Sequence, residues 1–375
     1  MGLDVWLWSA VMDNPNEDVT TPEGINIAIE KRRALFQAYP SIDHFFVPGG
    51  DDGDAPAEAL MPFLKQLALV LHEYHPNAKM WVSNQTFTIQ ENNYFFDYLA
   101  STESDWLHGV VYGPWTKMRW EQLRERTPER YPIRRCPDIN HTVRCQYPIP
   151  NWDPIFAHTV GREPIMPLPE MHQRIYKRYR GFSKGFATYS DGINDYFNKV
   201  LWSLLGWDRD TEIDVILKEY GKLWWREELS GDVPKGLSML EKNWQGAIVE
   251  NETIPKTLAL REDITRRCSD FETNWRIQIY LFRARFDAHM QSESLAQGVY
   301  QEEAHAILAQ AQTLGVQEAL IQAHTALAKA NQSANMELRT SLETLGKQLH
   351  KNIGYQFSVL EPYLARNPER GAMLD

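Results

Sequence analysis

From residue 3 to about residue 208 the chain repeats one pattern: a short, nearly continuous apolar run, an amphipathic stretch, then another apolar run. The runs are LDVWLWSA (3–10), DHFFVPG (43–49), AKMWVSN (78–84), WLHGVVYG (106–113), YPIRRCPD (131–138) and GFATYSDG (185–192). Apolar runs without alternation suit strands covered on both faces, and helical spacing between them suits crossover connections. The pattern therefore predicts an α/β unit built on a parallel sheet. Helical spacing is clearest over 57–74, where Leu60, Phe63, Leu64, Leu67, Val70 and Leu71 mark one face.

The grammar changes after residue 208. Residues 209–375 carry helical periodicity throughout, with Ala-, Gln-, Leu- and Glu-rich segments such as QEEAHAILAQAQTLG and QEALIQAHTALAKANQ, separated at Gly315 by a helix stop. The expected organisation is a (β/α) domain over 1–208 and an all-α domain over 209–375. With 375 residues, the length also favours two domains over one.

Nearly every predicted strand ends in side chains that can do chemistry: Trp8; Asp51 and Asp52; Asn84 and Gln85; Tyr112; Asp138 and His141; Tyr189 and Asp191. In a doubly wound sheet only the strands beside the switch point need such ends. A (β/α)8 TIM-type barrel gathers the carboxyl ends of all its strands at one mouth, so the pattern points to that fold. About six strands are present, so two, the first two, are expected to be missing.

The most pointed of these ends is HFFVPGGDDGDAP, residues 44–56. Two glycines let the backbone leave the strand sharply, and adjacent carboxylates repel, which raises one pKa and suits a general acid. Asp54 reads instead as a cap for the helix that starts near Pro56. In TYSDGINDYFNK, Asp191 again follows an apolar run and precedes a glycine, with Asn194 beside it and Asp195 placed to cap the next helix. Carboxylates on facing strands are the minimum equipment for glycosidic bond cleavage. The segment YPIRRCPDINHTVRCQYPIPNWD adds Arg134, Asp138, His141, Arg144 and Gln146, suited to hydrogen bonds with substrate hydroxyls or to pairing with a substrate carboxylate. Asp138 and His141 alone lack a third ligand at metal-binding spacing, so no metal or other cofactor is expected.

Composition narrows the classes. A net charge of −11 argues against a nucleic-acid footprint, and no run of 18 apolar residues predicts a membrane span. The amino terminus lacks a signal-peptide pattern, and three cysteines without zinc spacing lean towards a reducing compartment, so a cytoplasmic location is expected. Thirteen tryptophans make the chain rich in large flat side chains; filling a core is the first use of any one of them, and stacking on sugar rings is the second.

HFFVPGGDDGD, MWVSNQTF, GVVYGPW, YPIRRCPDINHTVRCQYPIPNWD and YSDGINDYFNKVLWSLLGWD resemble a bacterial group of glycoside-hydrolase-like (β/α)8 barrels. That group lies near the hexosaminidase, O-GlcNAc-hydrolase and α-glucuronidase superfamily, and the resemblance covers roughly residues 1–225. In hexosaminidases an Asp–Glu pair follows a Gly-Gly at the end of the fourth barrel strand. Its first acid orients the acetamido group of the substrate and its second protonates the leaving oxygen. The resemblance thus makes Asp51 the orienting acid and Asp52 the proton donor, and it agrees with two missing strands. Asp52 is shorter than the Glu of that pair, although adjacent Asp–Asp pairs serve in the O-GlcNAc hydrolases. Asp191 stands where related sequences carry Glu; a misplacement of about 1 Å can cost about 100-fold in rate.

The expectation is a glycoside hydrolase acting on an N-acetylhexosaminide or a uronic-acid-containing glycan. Asp51, Asp52 and Asp191 are its candidate catalytic residues. Trp8, Asn84, Gln85, Tyr112, Trp115, Asp138, His141, Arg144, Tyr189 and Asn194 are its candidate substrate contacts. The alternative is a non-catalytic carbohydrate-binding or degenerate barrel. A homodimer, or a second chain supplying the missing strands, is the expected partner besides the carbohydrate.

Overall fold

The computed structural model describes residues 3–51, 53–101, 105–142, 145–190, 192–225, 227–331 and 334–356. Five strands, β1 (Trp6–Trp8), β2 (His44–Val47), β3 (Lys79–Ser83), β4 (Leu107–Tyr112) and β5 (Ile133–Arg135), form one sheet in the order β1-β2-β3-β4-β5. All four pairings are parallel. Between them run α1 (Pro22–Ala38), α2 (Ala57–Tyr74), α3 (Ile89–Ser101) and α4 (Trp120–Arg126). Each strand sits beside its predecessor, so every crossover steps the same way, and right-handed connections then put the helices on one face. No reversal of order, the mark of a doubly wound sheet, occurs among these five.

Side-chain alternation divides the two faces. Phe45, Val47, Met80, Val82, Val110 and Ile133 pack with α1 to α4 in one large apolar cluster. Phe46, Trp81, Val111 and Cys136 form a smaller cluster on the other face, joined by Trp6. Helix α2 occupies the span its periodicity predicts, and all six marker residues from Leu60 to Leu71 are buried. The loop before α1 is anchored from below: buried Arg32 donates to Glu17 at 2.7 Å and to the carbonyls of Ala10 and Val11.

The sixth predicted strand is a correction. Residues 185–192 form no strand element among the described residues, but 184–189 continues the sheet beside β5 through four backbone bonds. Lys184 N–H donates to Ile133 O, Arg135 N–H to Gly185 O, Ala187 N–H to Arg135 O and Tyr189 N–H to Pro137 O. Gly185, at φ +143°, interrupts regular extended geometry at its start. What stands is a mixed α/β arrangement on a parallel five-stranded sheet.

The remaining helices are α5 (Pro154–Thr159), α6 (Pro169–Tyr179), α7 (Tyr196–Trp207), α8 (Ile213–Trp224), α9 (Asp232–Lys242), α10 (Thr253–Arg267), α11 (Trp275–Leu308), α12 (Ala311–Leu314), α13 (Val316–Ala328) and α14 (Met336–Ile353). From residue 209 onward every regular element among the described residues is helical. Gly315 sits between α12 and α13 at φ +84°, the stop that its position in the sequence predicts.

By contacts the chain divides into two compact units, Met1–Asp138 with Lys177–Tyr189, and Ile139–Tyr176 with Ser190–Asp375. This division and the change of grammar near residue 208 do not coincide: segments 139–176 and 190–208 pack with the helical unit. In that unit α11 carries a buried ion pair, Arg283 Nε to Asp287 Oδ1 at 2.7 Å, with the guanidinium 3.4 Å from the Trp244 ring centroid. Asn243 and the Trp244 indole N–H donate to the same Asp287 carboxylate, so its lone pairs are used.

Candidate functional site

The sheet unit brings several predicted residues to the carboxyl ends of its strands. Beyond Val47 the backbone turns at Gly49, whose φ of +76° a side chain would strain; a Cβ there would lie 2.4 Å from Ser83 O. Gly50 N–H then donates to Gln85 O at 3.2 Å, which ties the turn after β2 to the end of β3. Asp51 lies in this turn. Its Oδ2 accepts from Gln85 Nε2 at 3.0 Å, and Gln85 Oε1 accepts from Ser83 Oγ at 3.1 Å. Gln85 is 3% exposed.

Gly113, just past β4, makes room for that amide: a Cβ at this position would lie 2.0 Å from Gln85 Oε1. Next along the sheet, Cys136 N–H donates to Tyr112 O, and Asp138 pairs with Tyr189 in a parallel bridge. The Cys136 thiol is pushed up to about 12, first by burial and then by the nearby Asp138 and Asp51 carboxylates. Cys136 itself lies on the sheet face opposite the helices. A thiol so burdened is no nucleophile.

Two predicted contacts sit elsewhere. Asn84 is fully buried and donates to Asn92 Oδ1 of α3 at 2.7 Å, so its side chain serves the helix layer. Tyr112 packs edge-on against Trp120 of α4 and donates to Met118 O, again on the helix side. Trp8 and Trp115 are 47% and 42% exposed, and Trp115 holds a positive φ of 59° while its carbonyl accepts from Thr86 N–H. Trp81, by contrast, is buried; its indole donates to His44 Nδ1 at 2.9 Å. Arg134 lies 4.5 Å from the Trp6 ring centroid and 5.2 Å from that of Trp81, facing the start of β1 rather than the strand ends that carry Asp51.

Asp54 does not cap α2. The cap position belongs to Pro56, and Asp54 adopts φ +48° with its N–H bonded to Gly50 O. The acidic residue stabilises the turn, because Asp tolerates the left-handed conformation that the loop needs there.

In the helical unit, His141 Nε2 lies 3.3 Å from Glu163 Oε1, both buried, and Asn194 Nδ2 donates to Glu163 O at 2.5 Å. Asp195 occupies the cap position of α7 but makes no capping bond; its Oδ1 accepts from Ser190 Oγ. Burial pushes the Asp195 carboxyl up to about 6 against the opposing pull of Ser190 and Lys199. Asp52, Arg144 and Asp191 lie outside the described residues.

No family model matches the chain. No curated protein matches it either. Among solved structures, the glycoside hydrolase CpGH89 from Clostridium perfringens, a double Glu-to-Gln variant in complex with its substrate GlcNAc-alpha-1,4-galactose, matches with a TM-score of 0.43 and 13% identity. The match covers 81% of this chain and 34% of that one, so the chain spans about a third of that structure's length.

Among the described residues, no group of three or more His, Cys, Asp or Glu side chains is arranged to hold a metal ion. No described helix is long and apolar enough to cross a membrane. Sequence reading missed Ser83, Gly113 and Glu163. A serine inside a strand and a lone glycine after one carry no motif, and Glu163 lies in a loop without periodicity, so only the fold reveals them.

Proposed function

We propose that the chain is a glycoside-hydrolase-type protein that acts on the glycosidic bond of an N-acetylhexosaminide, using acid–base chemistry at the carboxyl end of a (β/α)8-type sheet. The supporting observation is Asp51, held by Gln85 where the turn after β2 meets the end of β3. In this reading Asp51 orients the substrate, Asp52 donates the proton, and Asp191 is the further candidate carboxylate. Trp8 and Trp115, both exposed, stack on the sugar rings. A uronate would need a cation at the site, for which Arg134, Arg144 and Arg162 are the candidates; Arg134 is engaged with Trp6 and Trp81, and Arg144 lies outside the described residues.

The same exposed tryptophans favour a second reading, a carbohydrate-binding protein without turnover. Assays on aryl N-acetylglucosaminides, aryl glucuronides and the disaccharide GlcNAc-alpha-1,4-galactose separate the two. The proposal expects turnover of an acetamido substrate that falls at least about 100-fold in Asp51→Asn. Binding without hydrolysis of any of these by a folded protein would establish the second reading instead.

A further inference from the structure

We infer that Ser83, Gln85 and Gly113 form a clamp that holds Asp51 as an ionised carboxylate, so that Gln85 is a positioning residue rather than a substrate contact. The inference rests on the reading that this strand end is the site of chemistry.

The direction of the hydrogen bonds carries it. Ser83 Oγ accepts from Gln85 N–H at 3.4 Å and donates to Gln85 Oε1 at 3.1 Å. The Ser83 hydroxyl on Oε1 and the Asp51 carboxylate at Nε2 thus match both ends of the amide. The other end, Nε2, can only donate, and it faces Asp51 Oδ2 at 3.0 Å. A donor at that oxygen stabilises the carboxylate and opposes the carboxylic acid.

The clamp has no slack. Gln85 is 3% exposed, and its backbone carbonyl is held by Gly50 N–H at 3.2 Å. Its amide occupies the volume that any side chain at residue 113 would claim, with a Cβ only 2.0 Å from Oε1. Gly113 has no positive φ to require glycine, so the amide itself accounts for the missing Cβ. Spending a buried amide, a serine and a glycine on one carboxylate oxygen makes sense where the protonation state of that carboxylate matters.

The test reads Asp51 directly. Carboxyl-carbon NMR of aspartate-labelled protein follows the titration of Asp51 in wild type, Gln85→Leu, Gln85→Glu and Gly113→Ala, with Asp51→Asn identifying the signal. The clamp predicts a rise of about one pH unit in the Asp51 midpoint in Gln85→Leu. Gly113→Ala shifts it the same way by displacing the amide without removing it. Gln85→Glu, which keeps the shape and loses the donor, raises it at least as far. An Asp51 midpoint unchanged within about 0.2 unit in both the Leu and Glu variants overturns the inference, because a merely structural Gln85 would leave it in place. This readout needs no turnover. Absence of hydrolysis in wild type would count against the proposed function alone, and an unmoved midpoint against the clamp alone. Where turnover is measurable, the acidic limb of the kcat/KM profile moves up with the midpoint while the basic limb stays.

Discussion

Cys136 shows how much a single side chain can report about its neighbours. Its thiol is buried in the small cluster with Phe46, Trp81 and Val111, and burial first, then the charges of Asp138 and Asp51, oppose its ionisation. We expect it to resist a disulfide reagent at pH 8 in the native protein and to react at least about 100-fold faster once unfolded, as followed by thiolate release. Fast native reaction would mean that burial does not shield the thiol. The sequence marks Cys136 only as a cysteine without a partner base, since spacing along the chain cannot tell which strand ends converge. For the same reason Asn84 and Gln85, adjacent in sequence, read alike. Strand alternation sends one to the helices and the other to Asp51, and that parity depends on a register which the sequence does not print.

At the scale of elements, the loop from residue 10 to α1 hangs on one buried arginine. Arg32 satisfies Glu17 and two backbone carbonyls at once, while Lys31 gives Glu17 a second, more exposed partner. Arg32→Met should cost about 3 kcal/mol in urea unfolding, because it leaves a buried carboxylate with reduced compensation. A loss below about 1 kcal/mol would show that Lys31 alone suffices. The elements themselves were largely legible: five of six strands and the bounds of α2 follow from apolar runs and helical spacing. The sixth run was not, because Gly185 leaves it bonded beside β5 without regular strand geometry. Nor was the cap of α2, where turn geometry, not side-chain capping, decides what Asp54 does.

For the molecule as a whole, pH should act through buried acids of the helical unit. Glu241 accepts from the N–H groups of Glu170 and Met171 at the start of α6, yet burial pushes its carboxyl from 4.5 up to about 7. Asp195 moves in the same direction, to about 6. A carboxyl with a raised folded pKa binds its proton more tightly when folded. Its contribution is therefore complete below the unfolded value and is lost as pH rises through the folded one. Thermal melts should thus show stability falling from about pH 4.5 to 7, with a flatter profile in Glu241→Gln. Parallel profiles for the two proteins would contradict the assignment. The order of the sheet has a consequence for synthesis. Because β1 to β5 pair in the order they are made, a chain leaving the ribosome can add each strand to one already in place. Residues 184–189 break that rhythm: they return to β5 only after 139–176 has gone to the other unit. The nascent sheet therefore waits with the far edge of β5 open, which makes this interval the one in which a chaperone has most to protect.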